Sequence, residues 1–317
     1  MAEPTAVADL RETGKFPGPA TAHECGGPVI SGMATKSHWL PHWPEIEARI
    51  ASRPRVLLAF GFDGILAPTA PRPADALLPG TTRALLETLG GSHRVSLAFL
   101  SGRSLGDIQA RVAMPNVFYA GNHGMEVRGP GLSMSDGLAV NCRSDLVDAL
   151  AFLTRCSRKL RGVFIEDKGM TVNVHWRFAT PEEREALRQA MEVIVRHHPR
   201  LRVFPGEACW ELRARASWHK GDALRQIMTH LGLSSADAVY LGEAHTDEDA
   251  FRKLTAGLSF CAGNSEATSA HYHLADTADA ARLLLQLCGA LLAPPAPWAG
   301  TGAEKNEPFP DRSCQVL

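Results

Sequence analysis

The chain lacks the features that mark several protein classes. No apolar run approaches the roughly 20 residues that span a bilayer, so no membrane helix is expected. Met1-Ala2-Glu3-Pro4 carries no basic stretch followed by an apolar one, so a secretory signal is not expected either. Neither sign of charge is in excess. The 33 Lys and Arg stand against 34 Asp and Glu, which removes bulk attraction to nucleic acid or to a membrane surface. The 7 cysteines (Cys25, Cys142, Cys156, Cys209, Cys261, Cys288 and Cys314) are scattered and form no Cys-x-x-Cys pair. Reduced thiols in a cytoplasmic protein are the expectation, and a zinc site is not. His197-His198 and His271-Tyr272-His273 likewise have no partners at ligand spacing, and no internal repeat is present.

What is present is an ordinary globular composition. The 317 residues are 45% hydrophobic and 21% charged, enough for one large domain or two of common size. Residues 1–36, rich in Ala, Gly, Pro and Thr without a sustained apolar period, read as a disordered arm. Residues 292–317, with Pro294-Pro295-Ala296-Pro297, read as a disordered tail. Between them the apolar spacing alternates between strand-like runs near 55–60, 94–100 and 117–120 and helix-like periods near 81–89 and 105–112. The alternation resumes after residue 220, with strand-like runs near 238–241 and 258–262. Such β-α alternation predicts an α/β fold, a parallel sheet with helices on both faces and ligands beyond the carboxyl ends of its strands. Trp39 and Trp43 read as a hydrophobic seam against that sheet domain.

Residues 127–212 break the pattern. Val172, Val174 and Trp176 alternate with Thr171, Asn173, His175 and Arg177, as in a half-buried strand. The segment reads as a separate α/β cap inserted into a core domain of residues 37–126 and 213–291.

The chemistry concentrates at strand ends. Val56-Leu57-Leu58-Ala59-Phe60 runs into Gly61-Phe62-Asp63-Gly64-Ile65-Leu66-Ala67-Pro68. This layout resembles the Asp-x-Asp-Gly-Thr signature of haloacid dehalogenase (HAD) phosphotransferases. In that signature the first Asp attacks phosphorus and the second is the general acid/base. Gly61 stands at the first position and Ile65 at the Thr position, so no aspartyl-phosphate can form at residue 61. Ser101-Gly102-Arg103 follows the next strand, where a hydroxyl and backbone N–H groups suit a phosphate oxygen. Alone, the tripeptide is an ordinary turn. Lys220 opens a helix, where it would neutralise phosphate, although most lysines there are simply solvated. Glu243 through Asp249 is acidic and strand-terminal, as hard-oxygen ligation of Mg²⁺ would require. Asp247, Glu248 and Asp249 read at least as well as acids favoured at a helix N-terminus.

Taken together, the chain resembles the trehalose-6-phosphate phosphatases over roughly residues 54–290. The motifs in order are Gly121-Asn122-His123-Gly124, Glu166-Asp167-Lys168-Gly169, His175-Trp176-Arg177, Glu211-Leu212-Arg213, Lys220-Gly221 and Gly242 with Thr246-Asp247-Glu248-Asp249-Ala250-Phe251. The resemblance implies a HAD-like Rossmannoid sheet domain with a sugar-recognising cap and Mg²⁺-dependent hydrolysis of trehalose 6-phosphate. It implies Asp63 as general acid/base and Ser101, Gly102 and Lys220 around the phosphate. Asn122, His123, Glu166, Lys168, Glu211 and Arg213 would meet the substrate, with His175 and Arg177 supporting them. A metal would fall to Glu243 and Asp63. Where the family carries a pair of aspartates, this chain has Glu243 and Ala244, and alanine offers no ligand.

Four departures at one centre, with the cap motifs kept, predict a protein that binds trehalose 6-phosphate or a related sugar phosphate with its turnover impaired. A working phosphatase with a non-standard site, and a remnant that acts only through protein contacts, are the competing readings.

Overall fold

The computed structural model describes residues 36–70, 73–206, 208–215, 218–243, 246–263 and 268–292. The arm expected over 1–36, apart from Lys36, and the tail expected over 292–317, apart from Leu292, lie outside the described residues, as does Ala244.

Among the described residues, twelve strands alternate with helices. The first half carries α1 (Trp43–Ala51), β1 (Val56–Phe60), α2 (Gly80–Gly90), β2 (Val95–Leu100), α3 (Leu105–Val112) and β3 (Phe118–Gly121). A hairpin of β4 (Glu126–Gly129) and β5 (Leu132–Ser135) precedes α4 (Gly137–Asn141) and α5 (Arg143–Ser157). Then come β6 (Phe164–Asp167), β7 (Thr171–His175), α6 (Pro181–His197), β8 (Leu201–Gly206) and β9 (Cys209–Ala214). The chain closes with α7 (Lys220–Leu231), β10 (Ala238–Glu243), α8 (Glu248–Lys253), β11 (Leu258–Ala262), β12 (Tyr272–Leu274) and α9 (Thr277–Leu292).

The strands form two sheets. The larger has eight, in the order β12-β11-β10-β1-β2-β3-β4-β5. Its pairings from β12 to β3 are parallel, and β4 and β5 add on antiparallel. β1 sits in the middle because its side chains are apolar on both sides. Val56, Leu58 and Phe60 face α1, α2, α3 and α9, while Leu57 and Ala59 face α7 and α8. All five residues of β1 are buried, so its end is held between two helical layers. Trp39 is fully buried in the first of these cores, with Trp43 packed edge-on at a centroid distance of 6.0 Å.

The second sheet has four antiparallel strands, β6-β7-β9-β8. Val172, Val174, Leu212 and Val203 bury one face of it against Leu146 and Leu153 of α5 and Leu187, Met191 and Ile194 of α6. The period of two in β7 and β9 therefore turns Thr171, Asn173, Glu211 and Arg213 to the other face. Residue 127, where the sequence places the start of the cap, falls within β4. Residues 126–135 extend the large sheet as its antiparallel edge instead, with Gly129-Pro130-Gly131 making the turn. Gly131 takes φ +68°, which a glycine adopts without strain. Among the described residues no helix is long and apolar enough to cross a membrane.

Candidate active site

The carboxyl ends of β1, β2, β3 and β10 meet the open face of the four-stranded sheet at a cleft of about 300 Å³. Its walls include Gly61 and Asp63 from the first loop, Ser101, Gly102 and Arg103 from the second, and His123 from the third. Lys220, Glu243 and Asp247 come from the far side, and Glu166, Lys168, Asn173 and Glu211 from the second sheet.

The first loop is a tight turn. Gly61 N–H donates to Leu241 O at 2.8 Å, which extends the parallel ladder by one bond. Gly64 N–H donates to Ala67 O at 2.9 Å, and Gly64 holds φ +73°. Asp63 is thereby turned outward, and both of its oxygens meet Arg103, Nε at 2.8 Å and Nη2 at 2.6 Å. The same guanidinium donates to Asp107 and to Pro73 O, each at 2.8 Å, and lies over the Phe62 ring. Ile65, at the signature Thr position, is buried in the core and is not part of the cleft wall.

The second and third loops are stitched together. Asn122 N–H donates to Arg103 O at 2.7 Å and His123 N–H to Ser101 O at 3.0 Å. Asn122 and His123 both sit in the left-handed region, at φ +49° and +57°, which is strained for side-chain-bearing residues. That backbone brings the His123 ring across Gly102, where a Cβ would lie 2.7 Å from the imidazole. A side chain at residue 102 would therefore displace His123.

His123 Nε2 approaches Glu211 at 2.8 Å. Burial lowers the pKa of His123 against the pull of Glu211, which favours a neutral ring donating its Nε2–H. Burial alone would raise Glu211, but His123, Lys168 and Arg213 outweigh it and hold the carboxylate ionised, well below its usual range. Glu166 is similarly lowered by His175, whose Nε2 lies at 3.0 Å.

Asp247, read from the sequence either as part of an acidic metal-ligand run or as an acid favoured at a helix N-terminus, has a buried partner that the sequence did not indicate. It stands just before α8, yet its side chain caps nothing there. Instead, its Oδ1 accepts from Lys220 Nζ and from Tyr240 Oη, each at 2.7 Å, and its Oδ2 accepts from Glu243 N–H at 2.8 Å. Asp247 is 1% exposed and Lys220 6%, so this is a buried ion pair. Burial, reinforced by the Asp247 charge, pushes the Tyr240 phenol well above its usual range and keeps it a donor. A signal for this role is its place one residue before an acidic helix start, facing Tyr240 in the middle of β10. Arg103 was visible only as the third residue of Ser-Gly-Arg.

Two predicted substrate residues stand back from the cleft. Asn122 is fully buried and is not part of the wall. Its Nδ2 donates to Glu126 at 2.6 Å and to Lys168 O at 3.2 Å, which ties the third loop to the second sheet. Arg213 is also absent from the wall and lies over the Phe204 ring, 3.7 Å from its centroid. Lys168 does reach the cleft and donates to Gly102 O at 3.1 Å.

Mg²⁺ requires near-octahedral hard oxygen ligands at about 2.1 Å. Asp63 has both oxygens committed to Arg103, and Asp247 is held by Lys220 and Tyr240. Among the described residues no three His, Cys, Asp or Glu side chains converge as a metal cluster. Among the described residues, this donor set does not fit the ion.

Beside the cleft lies a larger chamber of about 740 Å³ that shares Thr69, Ala70, Pro73 and Glu166 with it. Phe164 and Phe178 line that chamber, together with His175 and Arg177.

Residues 59–278 match the family model described as trehalose-phosphatase. The chain belongs to the trehalose-phosphatase family. The trehalose-phosphate phosphatase of Mycobacterium tuberculosis is 35% identical over 207 residues, covering 64% of this chain and 51% of that protein. Probable trehalose-phosphate phosphatase 4 of Oryza sativa subsp. japonica is 26% identical over 258 residues, covering 78% of this chain and 70% of its own. Against the mycobacterial relative, then, the chain spans about half the length. The C. albicans trehalose-6-phosphate phosphatase C-terminal domain superposes with a TM-score of 0.66 at 20% identity, covering 82% of this chain and 99% of that one. At that identity the likeness speaks to the fold, and the fold is the expected HAD-like one. Gly61 directly follows β1 and stands next to Asp247, and Asp63 is closed by Arg103.

Proposed function

We propose that this trehalose-phosphatase family member binds trehalose 6-phosphate, or a closely related sugar phosphate, in the cleft and does not hydrolyse it at the family's rate. In this reading it is a pseudophosphatase, with residues 164–214 and their helices acting as the cap over the sheet domain. The observation that carries the reading is Gly61, which leaves no nucleophilic carboxylate at the end of β1. By analogy with removal of a protease nucleophile, the loss is about a millionfold in turnover. Asp63 is a poor replacement, because Arg103 occupies both of its oxygens and holds its lone pairs in a fork. A reaction through Mg²⁺ has little support from the donor set described above.

Binding rests on what is kept. Ser101 and Gly102 follow the end of β2 and Lys220 opens α7, where a phosphate is met by charge and by backbone dipoles. Glu166, Lys168 and Glu211 offer the polar groups that sugar hydroxyls need. An open cleft walled by these side chains also favours a binding protein over a remnant that acts only by surface contact. The ligand's chemistry involves neither nucleic acid nor lipid, and a cytoplasmic location belongs to the same proposal.

The test is a paired measurement on the purified full chain. Phosphate release from trehalose 6-phosphate with Mg²⁺ is expected to match a mock preparation. Trehalose 6-phosphate at 100 times its dissociation constant is expected to raise stability by about 2.7 kcal/mol. Mg²⁺-dependent release that vanishes in Asp63→Asn would overturn the first half. No shift in melting temperature at millimolar ligand would overturn the second.

A further inference from the structure

Across three adjacent strands of the second sheet, Glu166 of β6 faces Asn173 of β7, and Asn173 faces Glu211 of β9. All three line the cleft. Neighbouring strands lie about 4.8 Å apart, so the three side chains form an evenly spaced row. The outer two are anchored, Glu166 by His175 and Glu211 by His123. The middle one is not. Asn173 is 7% exposed, and its Oδ1 is buried without a hydrogen-bond partner.

An orphaned amide oxygen in a folded interior costs free energy that an apolar residue of similar size would avoid. The neighbours of Asn173 on its own strand show the alternative, since Val172 and Val174 fill the apolar core behind the sheet. The alternation of the strand turns residue 173 the other way, toward the cleft, and there the chain carries an amide. We infer that Asn173 is a specificity-determining residue, completing the row Glu166–Asn173–Glu211 as a comb of polar groups that reads the hydroxyls of a sugar. Carboxylates can only accept from a hydroxyl, whereas a carboxamide both accepts and donates. Asn173 therefore suits a ring hydroxyl that must give one hydrogen bond and take another. The amide torsion is soft and roughly two-fold, so the buried oxygen reaches the cleft by a turn about χ2 when a ligand enters.

The inference rests on the sugar-phosphate reading above, and its experiment separates the two. Wild type, Asn173→Leu and Asn173→Ser are titrated calorimetrically with trehalose 6-phosphate and with inorganic phosphate, and their melting temperatures are measured. Asn173→Leu is expected to bind trehalose 6-phosphate about tenfold more weakly, the equivalent of one hydrogen bond. Its affinity for inorganic phosphate is expected to be unchanged, with a melting temperature no lower than wild type, because an orphaned acceptor has been removed. Asn173→Ser, which keeps a donor and an acceptor, should fall between. Equal trehalose 6-phosphate affinity in wild type and Asn173→Leu overturns this inference and leaves the proposed function standing. An equal loss for both ligands, or a lowered melting temperature in both variants, assigns Asn173 a structural role and overturns it too. A wild type that takes inorganic phosphate but no trehalose 6-phosphate removes the proposed function and this inference with it.

Discussion

Arg103 closes a two-pronged ion pair on Asp63, with Nε at 2.8 Å and Nη2 at 2.6 Å, and so occupies the side chain proposed above for the general acid/base position. The pair also fixes the loop above it, because the same guanidinium holds Pro73 O and Asp107. Arg103 is 9% exposed while Asp63 and Asp107 are about one-third exposed, so solvent softens the charges on one side only.

Arg103→Ala should therefore destabilise the protein by about 2 kcal/mol, below the 3–5 kcal/mol of a fully buried pair. Urea denaturation reads the change as a lowered midpoint at constant slope. Arg103→Lys should recover little of it, because an ammonium cannot span both oxygens of Asp63 and also reach Pro73. A lysine variant as stable as wild type would show that charge alone, and not the fork, holds the loop.

Lys220 and Asp247 make the second pair, and here both partners are buried. Lys220→Met should cost about 3 kcal/mol, because Asp247 keeps Tyr240 and the Glu243 N–H but loses its counter-charge. Lys220→Met combined with Asp247→Asn should be more stable than Lys220→Met alone, since the unpaired charge is gone. A double-mutant cycle in melting temperature measures this coupling, and additive losses would mean that the two side chains act independently.

The fold was legible where apolar runs were long or alternation was clean, and β1, β2, β10 and β11 form over such runs as neighbours in a parallel sheet. The β4–β5 hairpin was not legible. Its strands are four residues each, and only Gly129-Pro130-Gly131 marks it. At the site, the residues themselves pointed to Ser101 and Lys220 and the family resemblance to His123, Lys168 and Glu211, and all of them line the cleft. It also named Asn122 and Arg213, which share motifs with cleft residues but turn to Glu126 and Phe204. A motif fixes which residues are neighbours along the chain. It does not say which of them the backbone turns inward, and the left-handed turn at Asn122 and His123 makes that choice here. The pairing of Asp247 was hidden for the opposite reason. Its partner, Lys220, is 27 residues away, while its own neighbours form a plausible helix start.

The His123–Glu211 contact sets a sign for the dependence of stability on pH. Burial lowers the His123 pKa, so below about pH 6.5 the unfolded chain binds a proton that the folded chain refuses. Stability from this group is therefore present above pH 6.5 and is lost as pH falls below it. Glu211, held well below the usual carboxylate range, adds a further loss at lower pH, because its stabilising carboxylate must be protonated as the chain unfolds in acid. Urea midpoints between pH 5 and 8 should fall with acidity in wild type, and the fall should be shallower in His123→Gln. If wild type instead gained stability relative to His123→Gln as pH fell through 6.5, the pair would be a charged one.

The last prediction concerns restoring the missing chemistry. The backbone admits an aspartate at residue 61, since Gly61 is not in the left-handed region, but its Cβ would lie 3.2 Å from Asp247 Oδ2, so Asp247 must give by a few tenths of an ångström, while Ile65 Cγ1 at 3.5 Å is an ordinary contact. The new carboxylate would stand beside Asp247, whose charge is already matched to Lys220. Like charges at that distance disfavour ionisation, so Gly61→Asp alone should lose stability and release no phosphate. Adding Glu243→Asp and Ala244→Asp supplies oxygen ligands of the length Mg²⁺ accepts, and the metal would then offset the crowded carboxylates. Ile65→Thr should be left out, because Ile65 is buried in the core and the hydroxyl would cost about 2 kcal/mol. The triple variant is therefore expected to show Mg²⁺-dependent release of phosphate from trehalose 6-phosphate, at a rate well short of a complete site because Arg103 still competes for Asp63. If the triple variant folds, binds Mg²⁺ and the sugar phosphate and still releases nothing, then the loss extends beyond the side chains at 61, 243 and 244. The Arg103–Asp63 fork would become the next element to remove.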